Sequence, residues 1–410
     1  MKQMILLLCT MLVLSFAGCK EEAQISDTSS ERGSQAPRVL QVAPEDQNPA
    51  TLISNLIETP EGLYYEMYHA RYERLTNSKG EGNVLFFCPS GENAFYPLCG
   101  KPDCKHIDQN CNACIGRSLP CLGYFDHALY SVDLSRMGGE IELIKMNMDG
   151  TEHQVVATVD LSSFNNPGYM FRFHHGKLLI YLSANPKLPE EEQKNHLIVL
   201  NLSDYSKTEP FAEYLQTAGF PYFEWFFRDK LYGFGSKDKN PSAMEDQLFL
   251  EMDAVSGEVA NPLSGFVNGF YATDTTWYYF EANPSDFGRT LEGVIPGFRE
   301  YDLKSGTIKD CGMPVEEIQH AMYDEEFIYA RSFAPSTFDK DETVYFLSRD
   351  YKLLDQIELK DGLYFGAATS DRILIAARDM GPVYYLEKSD IGSHALELKP
   401  IEYLGLPGQN

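Results

Sequence analysis

Four side chains able to ligate a soft metal fall within thirteen residues: Cys99, Cys104, His106 and Cys111, spaced C-x4-C-x-H-x4-C. Three thiolates and one imidazole suit tetrahedral Zn²⁺. Four protein ligands from one loop would close the coordination sphere, so such a zinc would be structural and not catalytic. It would also fold a short polar loop, because binding energy becomes folding energy there. The spacing is not that of the familiar zinc fingers or knuckles. The same Cys/His-rich stretch, residues 88–121, holds Cys88, Cys114 and Cys121 as well. Six cysteines allow 15 disulfide pairings, and an exported chain meets an oxidising space. Three readings therefore stand side by side: a metal loop, a disulfide-stapled loop, and reactive thiols. A mixed state, with the four ligands on a metal and a disulfide among the other three cysteines, belongs with them.

Other chemistry is hard to find. The chain has no G-x-S-x-G elbow, no H-E-x-x-H, no phosphate-binding loop and no dinucleotide fingerprint, so no catalytic residue and no cofactor beyond the zinc is assigned. His174 and His175 precede Gly176 at a predicted turn, where solvated histidines are expected. Glu190, Glu191 and Glu192 read as a solvated loop. The aromatic stretches Tyr222–Phe227 and Trp277–Tyr279 either stack on sugars or fill the space between packed sheets, and filling is the expectation.

The elements that must hold this loop begin with a leader. Lys2, an apolar run from Met4 to Phe16, and the small Ala17 and Gly18 precede Cys19. This order is that of a signal peptide, and the run is shorter than the roughly 20 residues of a spanning helix. Phe16-Ala17-Gly18-Cys19 resembles the lipobox of bacterial lipoproteins, with Phe16 where Leu is usual. That resemblance implies cleavage before Cys19, its diacylation, and anchoring on the outer face of the cell membrane. Residues 19–50 are rich in Ser, Glu, Gln, Asp and Pro and read as a flexible polar tether. The formal charge of −26 becomes −27 once the segment bearing Lys2 is lost, which speaks against nucleic acid as a partner.

The body, residues 51–410, reads as all-β. Short aromatic or alternating runs dominate: Gly62–Tyr65, Leu129–Val132, Lys177–Tyr181, Lys230–Phe234, Trp277–Phe280, Phe327–Ala330 and Ile373–Ala376. A second element, an apolar strand leading into an Asp/Gly turn, recurs after most of them. Aligned at Asn147, Asn201, Asp253, Asp302 and Arg349, its copies lie 54, 52, 49 and 47 residues apart. A period near fifty predicts a β-propeller of about seven four-stranded blades, with six or eight also compatible; a pair of β-sandwiches is the alternative. The pattern resembles propellers of the WD40-like and TolB-like kind, without a WD or kelch motif. With the Cys/His loop between the first two blades and a lipobox ahead of it, the chain resembles uncharacterised lipoproteins of Gram-positive bacteria. Their motif matches Cys99, Cys104, His106 and Cys111, while Cys114 and Cys121 depart from it. The resemblance brings no activity. The expected function is extracytoplasmic binding or scaffolding of a protein, peptide or glycan. The competitors are a propeller enzyme using carboxylates at the central funnel, and a metal or redox sensor.

Overall fold

Each of the seven apolar runs pairs on both sides with antiparallel neighbours, because a strand buried on both faces can satisfy its backbone only by pairing along both edges. The computed structural model describes residues 50–407 except 52, 54, 78, 80–81, 102, 109, 117–120, 135–138, 163, 165–167, 184–194, 218–221, 237–246, 264, 283–294, 333–340 and 378–380. The expected signal segment, Cys19, the expected tether up to residue 49 and the Glu190–Glu192 run lie outside the described residues.

Blade 1 comprises β1 (Leu56–Thr59), β2 (Gly62–Met67), β3 (Asn83–Pro89) and β4 (Ala94–Pro97), with a short β5 (Cys114–Ile115) added to β3. Helix α1 (His69–Thr76) connects β2 to β3. Blade 2 is β6 (Leu122–Phe125), β7 (Ala128–Leu134), β8 (Glu140–Asn147) and β9 (Gln154–Asp160). Blade 3 is β10 (Gly168–His174), β11 (Lys177–Ser183), β12 (His196–Asn201) and β13 (Lys207–Thr208), followed by the single turn α2 (Tyr214–Thr217). Blade 4 is β14 (Tyr222–Phe227), β15 (Lys230–Ser236), β16 (Gln247–Asp253) and β17 (Val259–Leu263). Blade 5 is β18 (Val267–Ala272), β19 (Thr276–Glu281), β20 (Gly297–Asp302) and β21 (Thr307–Gly312). Blade 6 is β22 (His320–Tyr323), β23 (Phe327–Arg331), β24 (Glu342–Ser348) and β25 (Leu353–Leu359). Blade 7 is β26 (Leu363–Ala368), β27 (Arg372–Ala377), β28 (Gly381–Glu387) and β29 (Lys399–Pro400).

The seven-bladed propeller is thus the fold, and the β-sandwich alternative is set aside because each blade is built on a four-stranded meander, extended in blade 1 by β5 and a C-terminal strand. The repeat marks the end of each third strand, where Asn147 faces Ala128, Asn201 faces Lys177, Asp253 faces Lys230 and Asp302 faces Thr276. In blade 6 the equivalent residue is Ser348, opposite Phe327, and not Arg349 one position later. The side chain at this position commonly caps its own hairpin. Asp253 Oδ1 accepts from the Val255 and Ser256 amides at 2.9 and 2.8 Å, and Asp302 Oδ1 accepts from Ser305 at 2.7 Å.

Aromatic and aliphatic side chains fill the gaps between blades. Trp225, Tyr232 and Phe249 of blade 4 meet Phe270, Trp277 and Tyr279 of blade 5, with the Tyr232 and Phe270 rings 4.5 Å apart. Each such ring removed from water contributes roughly 1.5–3 kcal/mol. Phe223, Trp225, Phe226 and Phe227 of the first aromatic stretch and Trp277–Tyr279 of the second are therefore core, as expected of side chains that pack sheet on sheet.

The ring closes twice. Thr51 bridges to Ala367 on β26, and the Ala368 amide donates to the Ala50 carbonyl at 2.8 Å. The C-terminal β30 (Glu402–Tyr403) runs parallel to β4, placing Tyr403 against Phe95 and Phe86 at 5.6 and 5.5 Å. Close approach at the axis depends on Gly269 of β18. Its φ of 148° lies in the region that favours glycine, and a Cβ there would press into the backbone oxygen of Ala321 on β22. Gly269→Ala is expected to cost about 1–3 kcal/mol from backbone strain and crowding, read as a lower midpoint in urea unfolding. An unchanged midpoint would mean that blades 5 and 6 have slack at the axis.

Candidate metal centre and axial polar cluster

The loop after β4 is pinned to blade 1 at both ends. The Leu98 amide donates to the Leu85 carbonyl and the Leu85 amide to the Ala113 carbonyl, each at 2.8 Å, before β5 pairs with β3. Helix α1 supplies a third point, where the buried Tyr72 hydroxyl donates to the Lys105 carbonyl at 2.9 Å. Asp103 and His106 take left-handed backbone angles, φ 60° and 53°, which turn a short loop back on itself. Asp108 then accepts from the Asn110 amide at 2.9 Å and starts the turn that carries Cys111.

This path brings Cys99, Cys104, His106 and Cys111 together, with one ligand atom from each lying within 4.8 Å of all the others. His106 and Cys111 are buried, and Cys99 and Cys104 are half-buried. His106 Nδ1 lies 3.2 Å from Cys111 Sγ. Burial holds the His106 imidazole below its usual range, hence neutral at pH 7, as a metal ligand must be. The Ala113 amide donates to Cys111 Sγ at 3.3 Å. Burial raises the Cys111 thiol, more than the Ala113 amide lowers it. At Cys99 burial also works against ionisation, but the Lys101 amide, the Cys111 thiol, the Asn112 amide and the Cys104 thiol outweigh it and the thiol is lowered. One thiolate thus forms readily and opposes the next, a conflict that a bound dication resolves. The donor set, the neutral imidazole and the backbone N–H groups aimed at sulfur all fit a metal ion.

Cys88 and Cys121 lie outside this group, and Cys114 is joined to it through its amide, which donates to the Cys111 carbonyl at 3.1 Å. Cys88 points at the Glu92 carbonyl, 3.3 Å away, and burial pushes its thiol up to about 11. Cys121 is pushed up to about 12 by burial. Among the described residues no two cysteine sulfurs are joined to each other.

Glu66, which the sequence did not single out, clamps the loop to blade 2. It sits wholly buried at the end of β2. Asn83 Nδ2 donates to its Oε1 at 2.7 Å, the Cys121 amide to Oε2 at 3.0 Å, and the Ser131 hydroxyl to Oε2 at 3.4 Å. Burial is the largest influence and raises its pKa to about 8 against those hydrogen bonds, so the carboxyl is mostly protonated at pH 7.

A second polar cluster gathers on the innermost strands. His320 Nε2 lies 3.8 Å from Glu224 Oε1, although the two residues belong to blades 6 and 4 with blade 5 between them. Contact across an intervening blade is available only at the axis. The cross-strand partner of His320 is Arg331, whose Nε and Nη2 each donate to the buried Glu342 at 2.6 Å. Asn268 Nδ2 donates to the Gln319 carbonyl at 2.6 Å and ties blade 5 to blade 6 just beside it. Burial lowers the His320 pKa, with Glu224 opposing, so its ring is neutral at pH 7. The predicted solvated pair His174–His175 divides instead. His175 is exposed, but His174 stacks on Phe226 at 5.2 Å, and burial takes it down to about 4.

No family model matches this chain, and no curated protein matches it. Solved structures do. The β-propeller domain of the Trilobed protease from Pyrococcus furiosus aligns over 87% of this chain and 100% of that one, at 11% identity and a TM-score of 0.47. Oligogalacturonate lyase from Vibrio parahaemolyticus aligns over 84% of this chain and 91% of its own, at 12% identity and a TM-score of 0.49. TolB from Acinetobacter baumannii aligns over 85% and 79%, at 13% identity and a TM-score of 0.33. At these identities the likeness assigns no activity.

Proposed function

We propose that this chain is a lipoprotein anchored through Cys19 on the outer face of the cell membrane, whose propeller binds or scaffolds a protein, peptide or glycan. The Cys/His loop serves it as a structural zinc staple held by Cys99, Cys104, His106 and Cys111. Zinc is the choice because three thiolates and an imidazole in a closed set match a borderline-soft ion without geometric preference.

The observation that carries the binding reading is the meeting of Glu224 and His320 across the axis, polar groups brought together from blades that do not touch along their length. Of the two carboxylates near the axis, Glu342 is committed to Arg331. A carboxylate locked in that way is poorly placed to act as nucleophile or base, which favours binding over hydrolysis.

The anchor is tested by growing cells with labelled palmitate. Label is expected in the native chain and is lost in Cys19→Ser, which leaves the membrane pellet. A Cys19→Ser chain that stays membrane-bound and labelled would overturn the anchoring.

A further inference from the structure

We propose that the axial cluster is a binding site for vicinal hydroxyl groups of an uncharged saccharide, gripped by Glu224, His320 and Arg331. The proposal deepens the binding-module reading and rests on it.

Three features distinguish these residues from ordinary core polar groups. First, Glu224 stands at a break in register between Phe223 and Trp225, a bulge that turns its side chain out of the alternation that buries both neighbours. Second, among the described residues neither ring nitrogen of His320 has a hydrogen-bond partner, although the residue is 1% exposed. The 3.8 Å to Glu224 is too long for a direct bond. Third, Arg331 Nη1 is equally buried and without a partner, while Nε and Nη2 of the same group are taken by Glu342. Leaving a buried donor or acceptor unmade costs about 1–3 kcal/mol, so several in one place point to groups kept for a ligand.

Charge and donor count select the ligand. Arg331 and Glu342 cancel, His320 is neutral, and Glu224 leaves the cluster at about one net negative charge, which disfavours an anion. Glu224 can only accept, Arg331 Nη1 can only donate, and His320 offers one of each. A hydroxyl donates and accepts through one atom, and two adjacent hydroxyls satisfy such a mixed set at close quarters. A peptide group splits the two roles between separate atoms. These groups also share one rim of the ring. His320 begins a first strand, Arg331 ends a second and Glu342 begins a third, the same edge of the ring from which the Cys/His loop leaves blade 1.

The test uses the full chain in detergent and isothermal titration with maltotriose, cellotriose and chitotriose, beside trigalacturonate and trialanine. At least one neutral trisaccharide is expected to bind. That binding should weaken tenfold or more, about 1.4 kcal/mol, in Glu224→Gln and in His320→Asn, with Glu209→Gln as an unaffected control. Unfolding midpoints check that the variants fold, and Glu224→Gln, at a side chain 26% exposed, is the safer of the two. No binding of any neutral trisaccharide at about 10 mM, or tighter binding of trigalacturonate, would overturn the proposal. Trialanine binding that depends on Glu224 would overturn the saccharide but leave the binding module standing. Palmitate labelling is untouched by any of these results.

Discussion

Glu66→Gln is expected to stabilise the protein by roughly 5 kcal/mol above pH 8 and to change little near pH 4. In the folded chain the Glu66 carboxyl titrates at about 8, against an ordinary value of 4.5. A raised carboxyl pKa means that the native state holds a proton the unfolded chain has released. Between those two values the native state binds more protons, so stability falls as pH rises through that window and the full loss is reached above pH 8. The cause is burial: an ionised Glu66 would be a charge with only Asn83, Ser131 and one amide for company. Glutamine keeps the size, keeps one of the two accepting oxygens and cannot ionise. The difference between native and variant in urea unfolding, measured from pH 4 to 9, isolates this group from every other carboxylate. Parallel curves across that range would show that Glu66 does not carry the proton in the folded state. The consequence reaches the metal loop, because Glu66 joins the end of β2 to Cys121, where the chain enters blade 2.

Why Glu66 escaped notice in the sequence is physical. Within Gly62–Met67 it is one acidic residue in a run of apolar ones, indistinguishable from a solvent-facing strand position. Its partners Asn83, Cys121 and Ser131 lie 17, 55 and 65 residues away. The same holds for His320 and Glu224, separated by 96 residues (320 − 224) and brought together only by ring closure. By contrast, the Cys/His set is local, and spacing alone was enough to nominate it. The blades were legible unevenly for a related reason. All seven apolar runs are second strands, and the repeat marks the ends of third strands; both sit inside their sheets, and the second strands are buried at most positions. Outer strands such as β21, exposed at most positions, read as polar loop. Innermost strands carry bulges that break the alternation, as in β14, β18 and β26. Helix α1 has only one buried residue, Tyr72, and so shows almost no stripe.

On the zinc-staple proposal, removing the bound ion is expected to cost at least about 4 kcal/mol, the scale that separates metal loss from ordinary substitutions. The loop holds four ligands within 4.8 Å of one another, and without a dication nothing else in the loop replaces the bonds that tie them together. Elemental analysis should find about one zinc per chain, and a strong chelator should lower the unfolding midpoint until zinc is restored. The cost should not be equal among the ligands. Cys111 is buried in the core of blade 1 beside Ala113 and Cys114, whereas Cys99 lies half-buried at the loop's mouth. Cys111→Ser should therefore destabilise more than Cys99→Ser, because it also leaves a poorly paired hydroxyl in apolar surroundings. Alkylation gives an independent reading. After chelation Cys99 and Cys104 should react first, while Cys88 and Cys121, buried and with raised thiol pKa values, stay protected until the propeller unfolds. A disulfide-stapled loop predicts the reverse pattern: a midpoint lowered by reductant, indifferent to chelator, and no zinc in the purified chain. The two outcomes do not overlap, because a thiol pledged to a disulfide is neither a metal ligand nor open to alkylation.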